Sequence, residues 1–275
     1  MRTRFVLNAL AVACAGLIAC GGSVTDSERT GRSSSITDGN IDGNAHPAVV
    51  LIVMDVNGSP AFRCSGTFIS PTVVLTAGHC AGEPGEFSGM RVFTESDVQN
   101  GNNNYPNAGP NTIEAKEWHS LPGFTEAQFF THDVGVVVSK TAFNLPSSQY
   151  GKLPSAANQF DSLQPRASTT FTAVGYGLQR INPAQVVAER VRMNASPHLI
   201  QIDTGFTGPF SFLLSNNAAT GGTCFGDSGG PNFLGTSNTI AGVTSFGLNG
   251  TCGGTGGVFR LDRADVLAFV NSFLH

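Results

Sequence analysis

Charge is scarce in this sequence. Asp, Glu, Lys and Arg make up 12% of its 275 residues, against roughly 25% in an average soluble domain. The formal net charge is −4, and the Lys and Arg residues are not gathered into blocks. A nucleic-acid binder displays clustered basic residues, so nucleic acid is not an expected partner. Sustained helical periodicity is missing until the C-terminal end. The longest apolar run, Phe5 to Ile18, is broken by Asn8 and is too short to span a membrane. Glu83, Glu86 and Glu95 fall in one polar stretch, but without the regular oxygen spacing of a calcium loop. They read as solvated loop acids, and no metal site or cofactor is expected. What is abundant is glycine, 34 residues. A glycine-rich, charge-poor composition suits a loop-rich β protein, and the length is enough for one large domain or two small ones.

The first residues read as an address. Met1-Arg-Thr-Arg4 is a basic start, the apolar run follows, and the stretch ends Leu17-Ile-Ala-Cys20-Gly-Gly. Residues 1–19 form a secretory signal. Its end resembles a bacterial lipobox, in which Cys20 is lipidated and becomes the new N-terminus. The alternative is an ordinary signal cut near Ala15 or Ala19; Cys14 follows too short a run to serve. The expectation is export across an inner membrane and lipid anchoring in the cell envelope, at the outer membrane or cell surface; otherwise the protein is extracellular. Residues 20–35 are polar and read as a tether or pro-segment.

Strand signals follow. Ala48–Met54 is apolar, and Phe62–Ile69 and Thr72–Leu75 alternate around a Ser70-Pro71 turn. Met90–Phe93, Ile113–His119, Phe171–Gly177, Gln185–Met193, Leu199–Asp203, Thr239–Gly247 and Gly256–Leu261 read as further strands. Residues 141–167 hold three prolines and read as a connection between two halves. Asn57, Asn194 and Asn249 fit the glycosylation pattern and read as ordinary loops. From Asp262, a candidate N-cap, apolar residues recur at helical spacing to Leu274.

The chemistry concentrates in Gly222-Gly-Thr-Cys-Phe-Gly-Asp-Ser-Gly-Gly-Pro231. Glycines let the backbone turn tightly and aim N–H groups at one spot, with Ser228 at the apex. A hydroxyl beside convergent N–H donors is half of an acyl-transfer site. The other half is a base, and Leu75-Thr-Ala-Gly-His-Cys80 offers His79 at the end of a strand. Asp133 opens the apolar run Val134–Val138. A carboxylate at the mouth of a buried strand has to be hydrogen-bonded or paired, and an imidazole meets that need.

Thr76-Ala-Gly-His79-Cys80, Asp133-Val-Gly-Val-Val137 and Gly226-Asp-Ser228-Gly-Gly-Pro231 resemble the three catalytic blocks of the trypsin/chymotrypsin-like serine proteases, in that family's order. The resemblance covers residues 36 to 275. It implies an all-β fold of two six-stranded antiparallel barrels, about 36–145 and 165–262, with a C-terminal helix over 262–275. It implies a monomeric serine endopeptidase acting on polypeptides, with His79, Asp133 and Ser228 catalytic and the N–H groups of Gly226 and Ser228 as the oxyanion hole. A protease-fold binding protein usually loses one of these residues, and this chain keeps all of them.

The same resemblance pairs Cys64 with Cys80 and Cys224 with Cys252. Six cysteines are encoded; with Cys14 in the signal and Cys20 lipidated, four are left to pair. Each bridge is expected to stabilise by about 3 kcal/mol. Ser245-Phe-Gly247 matches the family segment that binds substrate backbone as an added strand, with Ser245 touching Asp133 and Phe246 replacing the usual Trp. Gly222 and Thr223 are expected at the base of the substrate pocket, with Ser245–Gly247 and Cys252 to Gly257 as walls. No acidic residue lies between Asn216 and Phe225 or between Ser245 and Gly257, which implies chymotrypsin-like preference for large apolar side chains. Ile36 matches the family's mature N-terminus, whose freed amine pairs with Asp227. The departure is at the cut: Ser35 precedes Ile36 and the nearest basic residue is Arg32. Either the activating protease is not trypsin-like or a trimming step follows. The second candidate, Ile41, leaves too short a run before Pro47.

Overall fold

A computed structural model describes residues 39–182, 185–205 and 207–274. The signal, Cys20, the tether and Ile36 lie outside the described residues. Strand β1 (Asn40–Ile41) leads into β2 (Val49–Val56), β3 (Ser59–Phe68) and β4 (Val73–Thr76). A single helical turn, α1 (Gly78–Ala81), separates β4 from β5 (Gly89–Phe93), and β6 (Thr112–Ser120) follows. After the short α2 (Phe129–His132) comes β7 (Gly135–Ser139). These strands close a six-stranded barrel in the order β2-β3-β4-β7-β6-β5. Strand β2 reads VVLIVM without alternation because all six of those residues are buried. They belong to an apolar cluster that continues into Val174, Tyr176, Val243 and Phe259 of the second half.

The second half is built from β8 (Arg166–Gly175), the hairpin β9 (Arg180–Asn182) and β10 (Gln185–Val187), β11 (Met193–Ala195) and β12 (His198–Thr204). It is completed by β13 (Gly208–Asn216), β14 (Pro231–Leu234), β15 (Ile240–Gly247) and β16 (Gly254–Arg260). Neighbours run β8-β12-β13-β16-β15-β14, and β14 pairs back onto β8. The second six-stranded antiparallel barrel is therefore closed as well, which removes exposed sheet edges. Its own core is aromatic, with Phe160, Phe171 and Phe212 in contact. Both expected disulfides form, Cys64–Cys80 and Cys224–Cys252, spanning 16 and 28 positions.

Several local expectations need correction. Gln185–Met193 is not one strand: residues 188–192 leave the ladder, and the next strand starts at Met193. Asn194 sits inside β11, paired with Val174, rather than in a loop. Strands β13 and β14 were not expected. The first opens with Gly-Pro and the second with Pro231, a residue tolerated only at a strand's start or edge. The C-terminal helix, α3, spans Ala264–Asn271, and its N-cap position is Arg263 with no side-chain cap. Asp262 has a stronger claim on its carboxylate. It accepts from Arg260 Nε at 3.0 Å and Nη2 at 2.8 Å, and from the Phe160 N–H at 2.8 Å.

Arg260 is wholly buried. Besides Asp262 it reaches Asp203 at 2.9 Å and also Asp161, and its guanidinium lies over the Phe212 ring. It thereby ties β16 to the inter-barrel connection and to β12. Removing one partner of a buried ion pair leaves the other uncompensated. Arg260→Ala is expected to lower unfolding free energy by about 3–5 kcal/mol, read as a shift in urea midpoint at constant m-value; a loss below about 1 kcal/mol contradicts the role.

Candidate active site

Two neighbouring strands bring His79 and Asp133 together. Thr76 of β4 pairs with Gly135 of β7. His79 lies three residues beyond Thr76 and Asp133 two before Gly135, so both emerge at the same barrel end. Asp133 is fully shut off from water. Its Oδ1 accepts from the His79 backbone N–H at 2.9 Å, and His79 Nδ1 lies 3.0 Å from both carboxylate oxygens. Ser245, at the end of β15, donates its hydroxyl to Oδ2. With Nδ1 facing a carboxylate, Nδ1 carries the proton and Nε2 is left as the acceptor. Burial alone pulls the imidazole pKa down, but Asp133, assisted by Glu126 and Glu86, more than offsets this and holds it above 6.5.

Ser228 lies in the loop between β13 and β14. It lines a cavity of about 440 Å³ together with His79, Ser245 and Phe246. The loop is stitched down on two sides. The Ser228 carbonyl accepts from the Ser65 N–H at 2.8 Å, while Gly229 N–H and Gly230 O exchange hydrogen bonds with Thr244 at 2.8 and 2.9 Å. Gly226 has φ of 96°, a left-handed conformation that glycine adopts without penalty. Among the described residues, neither the Gly226 nor the Ser228 N–H is donated to a protein acceptor. Both remain available to a ligand oxygen.

Asp227, between them, points away from the cavity and is buried. Its two oxygens accept from the Gly177 and Cys224 N–H groups at 2.8 and 2.9 Å. Gly175 and Gly177 have to be glycine because a Cβ at either would lie within 2.4 Å of this carboxylate. That close approach explains the Gly-Tyr-Gly run at 175–177. Burial outweighs the two N–H donors and the longer-range pull of Arg63, and pushes Asp227 up to about 7.

A second cavity, about 150 Å³, opens beside Ser228. Thr223, Ser245, Phe246, Gly247 and Cys252 line it, as the sequence suggests. Gly222 and Gly257, expected in the pocket, are not among the lining residues: a Cβ at Gly222 would meet the Asn216 side chain at 2.3 Å, and one at Gly257 the Phe246 ring at 2.2 Å. Sequence reasoning overlooked Phe225, which lines the rim and is 56% exposed. The available signal was a large apolar residue placed directly before the Gly226 turn. It also overlooked Glu126, which stands on the wall of the larger cavity with Glu86, read from the sequence as a solvated loop acid; burial and the neighbouring Glu86 push Glu126 above the usual carboxylate range. Among the described residues, Cys64, His79 and Cys80 have ligand-like spacing, but the two sulfurs are joined to each other and offer no thiolate.

The sequence matches the family model described as Trypsin over residues 40–264. No curated protein sequence matches the chain. Among solved structures, HL collagenase is similar with a TM-score of 0.65 at 19% identity, over 82% of this chain and 93% of the other. A scabies mite inactivated protease paralogue gives 0.62 at 16%, over 88% and 95%. Human heparin binding protein gives 0.61 at 21%, over 86% and 94%.

The Asp227 carboxyl makes a pH prediction. Its folded pKa, about 7, lies above the ordinary 3.8. Between these values the folded chain holds the proton more tightly than the unfolded one. Its contribution is therefore complete below pH 3.8 and is lost as pH rises through 7. Asp227→Asn is expected to flatten the fall in urea midpoint across that window relative to the wild type; parallel curves contradict it.

Proposed function

The chain belongs to the trypsin family of serine endopeptidases, and on that premise we propose that it cleaves polypeptides with His79, Asp133 and Ser228 as its catalytic triad. One observation carries this: His79, hydrogen-bonded to the buried Asp133, stands on the wall of the cavity that Ser228 lines. The Ser228 hydroxyl bonds to the scissile carbonyl carbon as its proton passes to His79 Nε2. His79 then gives that proton to the leaving amine as the C–N bond breaks. Water repeats the sequence on the acyl-enzyme and releases Ser228. Asp133 holds the imidazole tautomer and stabilises the imidazolium. The Gly226 and Ser228 N–H groups receive the oxyanion; in a comparable serine protease one such donor is worth about 3–4 kcal/mol of barrier.

Activation belongs to the same proposal. A buried carboxylate raised to about 7 is a poor anion until a cation reaches it. Cleavage before Ile36 would supply the ammonium and fix the loop that carries both oxyanion donors. We further propose export by residues 1–19 and lipid anchoring through Cys20 in the cell envelope, with the enzyme acting as a monomer.

The test is covalent labelling of Ser228 by a fluorophosphonate, on chains beginning at Ile36 and at Gly21. Labelling of the Ile36 form alone supports triad and activation together, and Ser228→Ala abolishes it. Equal labelling of both forms removes the activation step. Labelling of neither removes the triad and leaves a binding protein of this fold.

The small cavity sets the expected preference. It carries no carboxylate, so nothing there repays the desolvation of Arg or Lys. A volume of about 150 Å³ is known to hold one benzene ring. Peptide anilides ending in Phe, Tyr, Leu or Met are expected to give kcat/KM at least about tenfold above the Arg and Lys analogues, a difference of about 1.4 kcal/mol. Faster turnover of Arg or Lys contradicts the assignment.

A further inference from the structure

Ser65 is a buried hydroxyl that the triad does not use. It lies on β3 of the first barrel, next to Cys64, and has no exposed surface. Yet every polar group it owns is engaged, and mostly with the second barrel. Its N–H donates to the Ser228 carbonyl at 2.8 Å. Its Oγ donates to the Gly226 carbonyl at 2.9 Å and accepts from the Tyr176 N–H at 3.0 Å. Its own carbonyl accepts from the Thr76 hydroxyl at 2.8 Å, three residues before His79.

We propose that Ser65 is the positioning residue of the oxyanion site: one residue on the first barrel holds the backbone of both residues whose N–H groups have no protein acceptor, Gly226 through its hydroxyl and Ser228 through its own N–H. This rests on the function proposed above and goes beyond it. The Gly226 carbonyl sets the torsion of the residue with φ 96°, where glycine otherwise has wide conformational freedom. The Ser228 carbonyl fixes the far side of the loop. A bond to Tyr176, between the two glycines that wrap Asp227, places the same hydroxyl against the Asp227 cradle. Space around it is closed: a Cβ at Gly175 would lie 3.0 Å from Ser65 Oγ, and one at Gly230 3.2 Å from Ser65 Cβ. Without the hydroxyl, the Gly226 carbonyl and the Tyr176 N–H lose these bonds in a buried setting. The lost bonds free the Gly226 backbone.

The experiment compares Ser65→Ala, Ser65→Thr and wild type as the full active chain. Three quantities are read: kcat and KM on a peptide anilide, inhibition by a peptide aldehyde whose adduct places an oxyanion in the hole, and the urea midpoint. Expected for Ser65→Ala is a fall in kcat of about tenfold, smaller than the 10²–10³-fold loss of a donor itself, with KM within about twofold. Aldehyde affinity is expected to fall by the same factor as kcat, and Ser65→Thr to restore most of both. A purely structural serine would change stability without that parallel loss. A folded Ser65→Ala with wild-type kcat and aldehyde affinity overturns the proposal. So does a loss carried by KM alone. If Ser65→Ala does not fold, a folded Ser65→Thr has to keep kcat within about threefold, and failure there overturns the proposal. A wild type that neither labels nor turns over sinks the protease reading instead, which keeps the two failures apart.

Discussion

A carboxylate sealed from water has to be surrounded by donors, and Asp133 makes that demand on the rest of the molecule. Isolated burial of the charge would cost far more than a small domain's net stability. The donors come from three directions: the backbone N–H of His79, its Nδ1, and the hydroxyl of Ser245. The first two depend on the register of β4 against β7. The third depends on the second barrel bringing β15 against the first. Neither barrel alone satisfies Asp133, so the charge fixes their approach as well as the imidazole's direction.

Asp227 is the opposite case. Its donors are two backbone N–H groups, and burial wins, so its pKa rises to about 7. The two carboxylates are equally buried, but one faces an imidazole and the other faces peptide groups. A group held so far from its ordinary value has stability to release when a counter-ion arrives.

What could be read from the residues divides by distance along the chain. The Gly-Asp-Ser-Gly-Gly run, the His79 turn and the Asp133 strand are each local, because a nucleophile, a base and a buried acid each need a particular setting within a few positions. The strands with clean alternation or continuous Val and Ile were legible for the same reason. Strands β13 and β14 were not, because they begin at Gly-Pro and Pro and each takes one of its two partners from far along the chain, β16 and β8. Asp262 was read as a helix cap because capping is local, whereas its partner Arg260 is buried by long-range packing. Ser65 gave no signal beyond a small polar residue in an alternating strand. Its contacts lie more than a hundred residues away at Tyr176 and Gly226.

The fold does not decide the activity. The similar structures include a protease paralogue called inactivated and a protein called heparin binding, at TM-scores close to that of the collagenase. Two packed barrels therefore persist in proteins with different names, which is what is expected when stability resides in the barrels and chemistry in the loops between them. In this chain those loops carry costs with no return in stability: a buried Asp227 far from its ordinary pKa and two N–H groups left without a protein acceptor. Costs of this kind gather where the backbone is arranged for a ligand rather than for itself. Their convergence on Ser228, beside an imidazole whose Nε2 is left free to accept a proton, is the strongest physical ground for reading catalysis here.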